Sequence, residues 1–179
     1  MIWFTSDWHF CHNKPFLYEP RGYKNVYDMN EAIITGHNCL VDKDDDVYCL
    51  GDCMLNNDEL GLKCIKRLKG KIHIICGNHD TNNRIEKYKN CYNIVEVCDI
   101  KILKYSKTKL FYLSHYPTLT GNDDDKQYPL INLCGHRHTK DKFIDIGIGS
   151  IYHVEVDAHN LLPVSIEQVV KDIEIFKKE

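Results

Sequence analysis

The chain predicts an α/β fold of two packed mixed β-sheets flanked by helices. Short apolar runs alternate with amphipathic helical stretches in the first half, strands dominate the second half, and short polar clusters follow several of the apolar runs. Residues 2–6 are apolar, aromatic and β-branched and read as a buried strand that ends at Asp7. Asp28 is the expected N-cap of a first long helix. Glu31 completes its capping box, and Met29, Ala32, Ile33, Cys39 and Leu40 supply an apolar side. Residues 47–50 form a second strand. Residues 57–69 carry Leu60, Cys64, Ile65 and Leu68 near helical spacing, with Gly70 as the stop, and residues 71–76 make a third strand. This strand and helix order is that of βαβ units, so the first half should build a largely parallel sheet.

The second half changes character. Residues 93–105 alternate as one strand, and residues 106–109 turn the chain into residues 110–113, an antiparallel hairpin. Further strands are expected near 131–134, 143–148 and 152–156. Pro163 precedes a last helix in which Ser165 and Gln168 form a capping box and Ile166, Val169, Val170 and Ile173 make the buried stripe. No repeat, linker or composition break divides the 179 residues, so one domain over 1–179 is expected.

Composition excludes several classes. With 43% hydrophobic and 27% charged residues the chain is neither disordered nor membrane-embedded, and no apolar stretch approaches the ~20 residues that span a bilayer. The start, Met1 to Asp7, lacks a secretory basic region, so a cytoplasmic location is expected. Nine cysteines occur without a Cys-x-x-Cys pair. Those inside apolar runs, Cys49, Cys76, Cys98 and Cys134, are read as reduced core thiols, and Cys11 and Cys53 as packing beside candidate ligands. A net charge of −3 gives no general attraction to polyanions. The substrate is therefore expected to be small, with Lys63 to Lys71 a solvated helix face and the acidic runs at 42–46 and 123–125 solvated loops.

The polar clusters carry the chemistry: Asp7-Trp8-His9, Gly51-Asp52, Gly77-Asn78-His79-Asp80, Ser114-His115 and Gly135-His136-Arg137-His138. Asp, Asn and His together bind borderline divalent ions, and two such ions close together can activate water against phosphorus. In an extended Asp-x-His or His-x-His segment both side chains point to one side and can grip one ion. The glycines at strand exits mark sharp turns or close backbone approach.

In family order from residue 7 to 138, this series resembles the full signature of the calcineurin-like metallophosphoesterases. Residues 4–12 and 157–165 are similar to segments of small, poorly characterised single-domain bacterial and phage members. The resemblance implies a four-layer α-β-β-α sandwich and a phosphodiesterase or phosphatase with a dinuclear metal centre, Mn first, with Fe, Ni or Zn as alternatives. Asp7, His9 and His138 would hold one ion, Asn78, His115 and His136 the other, and Asp52 would bridge them. A hydroxide shared by both ions would attack phosphorus, with His79 as acid or charge stabiliser near the leaving group. Asp80 would orient His79, or cap the helix beginning near Thr81.

His12 and Arg137 are candidate phosphate contacts, and Tyr18, Arg21, Tyr23, Tyr116 and Tyr128 are possible base or phosphate contacts in the flanking loops. His37, His73, His153 and His159 are read as structural or exposed. The family often places a second acidic or amide residue two or three positions beyond the bridging Asp. Here Cys53-Met54-Leu55 precedes Asn56-Asn57, which leaves the substrate wall beside Asp52 open. Two other readings compete: a nuclease acting on DNA or RNA, disfavoured by the acidic balance, and a non-catalytic metal-binding scaffold, disfavoured by the complete ligand set.

Overall fold

A computed structural model of the chain describes residues 1–107, 109–120, 130–145 and 150–176. The acidic run at 123–125, Tyr128 and the end of the strand expected at 143–148 lie outside the described residues. The first sheet holds β1 (Ile2–Thr5), β2 (Asp46–Cys49), β3 (Lys71–Ile75) and β4 (Ile94–Cys98), all parallel. The helices between them are α1 (Pro15–Tyr18), α2 (Val26–Leu40), α3 (Asp58–Lys66) and α4 (Asn82–Tyr88). The second sheet holds β5 (Lys101–Lys104), β6 (Leu110–Leu113), β7 (Leu130–Cys134), β9 (Ser150–His153) and β8 (Phe143–Asp145), in that spatial order. It too is mixed, with β6, β7 and β9 parallel and both edge strands antiparallel. A two-residue strand, β10 (Val164–Ser165), returns antiparallel to the outside of β1 before α5 (Ile166–Phe176).

Strand alternation sorts the core into two layers. Trp3, Val47, Cys49, Ile72 and Ile74 face α2 and α3, where Met29, Ile33, Cys64 and Ile65 meet them. Phe4 and Tyr48 point the other way, into a second cluster with Phe111, Leu113, Leu133 and Tyr152 of the second sheet and Ile166, Val169 and Ile173 of α5. Phe4 and Phe111 meet edge-on across the sheets at 6.4 Å. This fits a two-sheet sandwich.

Three sequence expectations are corrected. The alternating stretch 93–105 is not one strand. It breaks at Asp99 and Ile100, so that β4 finishes the first sheet and β5 begins the second. Helix α2 starts before Asp28, because Asn25 is its N-cap. The Asn25 side chain accepts the Asp28 N–H and donates to the Asp28 carboxylate, each at 2.9 Å, while Glu31 pairs with Arg67. Helix α4 begins after an N-cap at Thr81, whose side chain makes no capping bond. The Ser165 cap is present, its hydroxyl accepting the Gln168 N–H. All nine cysteines are free. Among the described residues no helix is long and apolar enough to cross a membrane.

Candidate metal centre

The polar clusters converge because parallel strands end on the same side. Asp7 follows β1, Asp52 follows β2, Asn78 and His79 follow β3, His115 follows β6, and His136 and His138 follow β7. Carboxyl ends of parallel strands are the usual place for a ligand in such sheets. Beyond β1 and β2 the chain segments run on as a pair: the N–H groups of Asp7, His9 and Phe10 donate to the carbonyls of Gly51, Asp52 and Cys53, each at 3.0 Å. This pairing holds Asp7, His9 and Asp52 in the left-handed region, at φ of 58°, 49° and 55°. His136 and His138 adopt it as well, at 74° and 49°. The extended Asp-x-His and His-x-His geometry expected from spacing is therefore absent. Each such residue costs about 1–3 kcal/mol of backbone strain, which the surrounding hydrogen bonds hold in place. A Cβ on Gly77 would run into Asp52 Oδ1, and one on Gly135 into Asp7 Oδ2, so these glycines let carboxylates close on the backbone.

The donor atoms fall into two triangles. Asn78 Oδ1, His115 Nε2 and His136 Nδ1 lie 3.0, 3.1 and 3.2 Å apart. His9 Nε2, His138 Nε2 and Asp7 Oδ1 form the other, with edges of 3.1, 3.6 and 3.8 Å. Asp52 Oδ2 stands between them, 3.6 Å from both His9 Nε2 and His115 Nε2. Ligands bound at about 2.1 Å to one ion stand roughly 3.0–3.4 Å from each other. The Asn78, His115 and His136 donors and the His9–His138 pair already stand at such separations, and the Asp7 and Asp52 oxygens stand a few tenths of an ångström wider. Asp7, His9 and His138 could hold an ion, and so could Asp7, Asp52 and His115. No cysteine joins either group among the described residues.

Protonation supports the same reading. Burial pushes the Asp7 carboxyl up to about 6, although His138 and His115 pull against it. Its Oδ2 accepts from the Ser6 hydroxyl at 2.6 Å and the His136 N–H at 2.9 Å, but its Oδ1 is buried without a partner. A buried carboxylate oxygen left bare is costly unless a cation meets it. Burial, followed by the charges of His138 and Arg21, pulls the His9 imidazole down to about 2, so His9 is neutral and keeps a lone pair to donate. Its approaches to Asp7 and Asp52 are thus not ion pairs. His115 Nδ1 is held by the Leu50 carbonyl at 2.7 Å and His138 Nδ1 by Asp157 at 2.9 Å, which leaves each Nε2 facing the centre.

Asp157 is a supporting residue that the sequence did not reveal, and Arg21, expected as a base or phosphate contact, is its partner. Arg21 grips Asp157 through two bonds of 2.8 and 2.7 Å and donates to the carbonyls of Asp7 and Trp8. Burial works against the Asp157 carboxylate, but the His138 and Arg21 bonds outweigh it and hold its pKa well below the usual range. Burial likewise opposes a charged His138, and Asp157 and Asp7 reverse the balance, raising it. Buried Glu155 accepts the Thr139 N–H at 2.6 Å and so fixes the exit of the His136–His138 loop. Nothing local in the sequence marks Arg21 and Asp157 as partners, since they stand 136 positions apart.

The remaining candidates divide. His79 is partly exposed over the centre, its Nε2 3.9 Å from Asp52 Oδ2 and its backbone N–H donating to Asp52 Oδ1 at 2.9 Å. Asp80 neither orients the His79 ring nor caps α4. Its buried carboxylate accepts the N–H groups of Asp52, Cys53 and Gly77 and the Tyr88 hydroxyl, which makes it the clasp between the loops after β2 and β3. His12 lines a cleft of about 550 Å³ with His9, His79 and His138. Arg137 is exposed and does not line that cleft. Arg21 is spent on Asp157, and Tyr116 packs edge-on against His136 at 4.7 Å. Asn57 caps α3 and, with Asn56, lines a separate hollow beside Cys11 and Asn30. His37 bonds the Lys69 carbonyl and His73 sits between Asp46 and Glu96.

The fold and the site together define a class: an α/β protein of two mixed sheets whose strand ends gather a buried Asp and His cluster able to hold metal. No family model matches the chain. It is 32% identical to an uncharacterized protein of Methanocaldococcus jannaschii, MJ1445, over 97% of this chain and 91% of that one, and it belongs to that protein's family. A protein of unknown function from Aquifex aeolicus, AQ665, shares the fold, with a TM-score of 0.70 at 24% identity over 96% of this chain and 98% of that one. The phosphopantetheinyl hydrolase PptH of Mycobacterium tuberculosis overlaps at a TM-score of 0.44 and 11% identity, covering 87% and 88%, a distance at which the overlap carries no argument.

Proposed function

We infer that the protein is a metal-dependent phosphoric ester hydrolase of the calcineurin-like metallophosphoesterase superfamily, with that superfamily's four-layer arrangement, acting in the cytoplasm on a small phosphodiester or phosphomonoester. The observation that carries this reading is the pair of donor triangles sharing Asp52, completed by the unpartnered Asp7 Oδ1. Asp7, His9 and His138 would hold one divalent transition-metal ion and Asn78, His115 and His136 a second, with Asp52 common to both. Mixed N/O donors of this kind accommodate Mn, Fe, Ni and Zn, and the resemblance to the metallophosphoesterases puts Mn first. When bound, such ions supply Lewis acidity and an activated water.

The chain's own residues do the rest. The His79 N–H fixes Asp52 Oδ1, so that Oδ2 is the oxygen turned toward the imidazoles. The Asp80 clasp holds Asp52 and Gly77 at one depth, keeping Asn78 and His79 in register with the bridging carboxylate. A water oxygen would bond to phosphorus as the bond to the leaving oxygen breaks, the water's proton passing to solvent or staying on the product phosphate, and a protonated His79 Nε2 would give the leaving oxygen its proton. His79 acts from the rim of the cleft, where its ring meets His9 at 5.6 Å.

The test is metal analysis together with hydrolysis of bis-p-nitrophenyl phosphate and p-nitrophenyl phosphate by purified protein reconstituted with Mn or Ni. About two bound ions per chain, and turnover of at least one ester far above a His136→Ala control, are expected. Turnover of neither ester above that control would sink the reading.

A further inference from the structure

The cleft over the centre has a mixed lining. His9, His12, His79, His138 and Asp157 are its polar residues; Phe16, Leu17 and Pro20 are its apolar ones. Within α1, Leu17 turns into the core at 6% exposure, while its neighbour Phe16 stands 70% exposed. Phe16 does not stand alone: with Leu17 and Pro20 it gives the cleft a contiguous apolar lining beside a few polar groups, the make-up of a ligand pocket. Its position is continuous with the donor set, because Phe16 meets the His12 ring edge-on at 5.6 Å and His12 meets His9 at 5.5 Å.

Charge supplies an independent constraint. No Lys or Arg is among the described residues lining this cleft, and its one carboxylate, Asp157, is neutralised by Arg21. A phosphate monoester carries close to two negative charges at neutral pH, its second pKa being about 6. A diester carries one. The walls thus offer the reacting group no fixed cation beyond whatever the donor triangles hold, while they offer its organic substituent an apolar face.

Granted the phosphoesterase reading, on which this rests, we propose that the cleft selects phosphodiesters whose leaving alcohol is aromatic or apolar and seats that alcohol on Phe16, in preference to phosphate monoesters. The leaving side is chosen because Phe16 shares the cleft with His79, the proton donor to the leaving oxygen. Hydrolysis adds one water, breaks one P–O bond and yields the alcohol and a phosphate monoester. That product carries a second negative charge that no Lys or Arg among the described residues of the cleft can meet, so the reaction stops there.

The test uses the full Mn-loaded chain. Turnover of bis-p-nitrophenyl phosphate should exceed that of p-nitrophenyl phosphate, with one nitrophenolate released per molecule. As competitive inhibitors, diphenyl phosphate should bind about tenfold more tightly than dimethyl phosphate, the order expected from one aromatic stacking contact. F16A should erase that difference and F16W restore it, and the exposure of Phe16 makes both variants safe for folding. Preference for the monoester, equal inhibition by the two diesters, or a difference that survives F16A overturns this proposal while leaving the phosphoesterase reading intact. A chain inactive on every ester overturns both.

Discussion

The two donor triangles are built from unequal materials. The one formed by Asp7, His9 and His138 contains its own carboxylate, has Asp7 and His9 buried beneath an exposed His138, and is backed by the Arg21–Asp157 pair. The one formed by Asn78, His115 and His136 contains no carboxylate of its own, has an exposed Asn78 and a half-buried His136, and sets a main-chain carbonyl of Leu50 behind His115. A fixed negative charge in a dry site raises cation affinity far more than a neutral lone pair does. If both triangles hold an ion, as proposed, the first is expected to be the tight seat and the second to depend on the share of Asp52 that it receives.

The largest effect should come from the residue that both seats use. Asp52→Ala is expected to remove the second ion, weaken the first and lower turnover by about three orders of magnitude, in line with several kcal/mol of lost charge stabilisation. Metal analysis beside initial rates checks this, and retention of both ions would show that neither seat relies on Asp52.

Asp7→Asn should break the comparison from the other side, by trading binding for stability. Burial raises the folded-state pKa of Asp7 from 3.8 to about 6, so its contribution to stability is present below the unfolded value and is lost as pH rises through about 6. At pH 7 the metal-free protein thus carries a penalty of about 3 kcal/mol that an amide does not. The amide oxygen can still accept from Ser6 and His136, which meet Asp7 Oδ2. Chelator-treated Asp7→Asn is expected to melt higher than wild type near pH 7, to lose that advantage near pH 4, and to bind the first ion poorly. A variant that melts lower near pH 7 would contradict the assignment.

The smallest of the three effects concerns the backing. Asp157→Asn should weaken the first ion by ten- to a hundredfold, the usual cost of losing a carboxylate behind a ligating imidazole, and leave the second equivalent nearly untouched. Calorimetric titration separates the two equivalents, and equal weakening of both would erase the distinction between the triangles.

What was readable in advance follows from the distance over which each signal acts. The residues expected as ligands meet in one cluster because each sits in a short motif at the exit of a strand, and parallel pairing brings those exits together. The left-handed backbone at His9, His136 and His138 was not readable, since His visits positive φ more often than most residues but still only in a small minority of places, unlike Gly. It arises from pairing between the loops after β1 and β2 and from packing around the β7 loop. The split of residues 93–105 was invisible because alternation continues through both β4 and β5, and only the change of sheet separates them. Asp80 lay in view, but its partners at Asp52, Cys53 and Tyr88 come from two other segments. Asn25 and Asp28 carry equivalent capping chemistry, and tertiary context chose the earlier one.

The backbone pairing of Asp7, His9 and Phe10 with Gly51, Asp52 and Cys53 has a kinetic consequence. Small zinc domains assemble their ligands only as the ion arrives, so uptake and folding are one event. In this chain the turns that aim the donors are drawn by amide hydrogen bonds that need no ion. Loading should accordingly proceed at a rate limited by ion dehydration and diffusion, leave the far-ultraviolet dichroism unchanged, and reverse under chelation without unfolding the sheets.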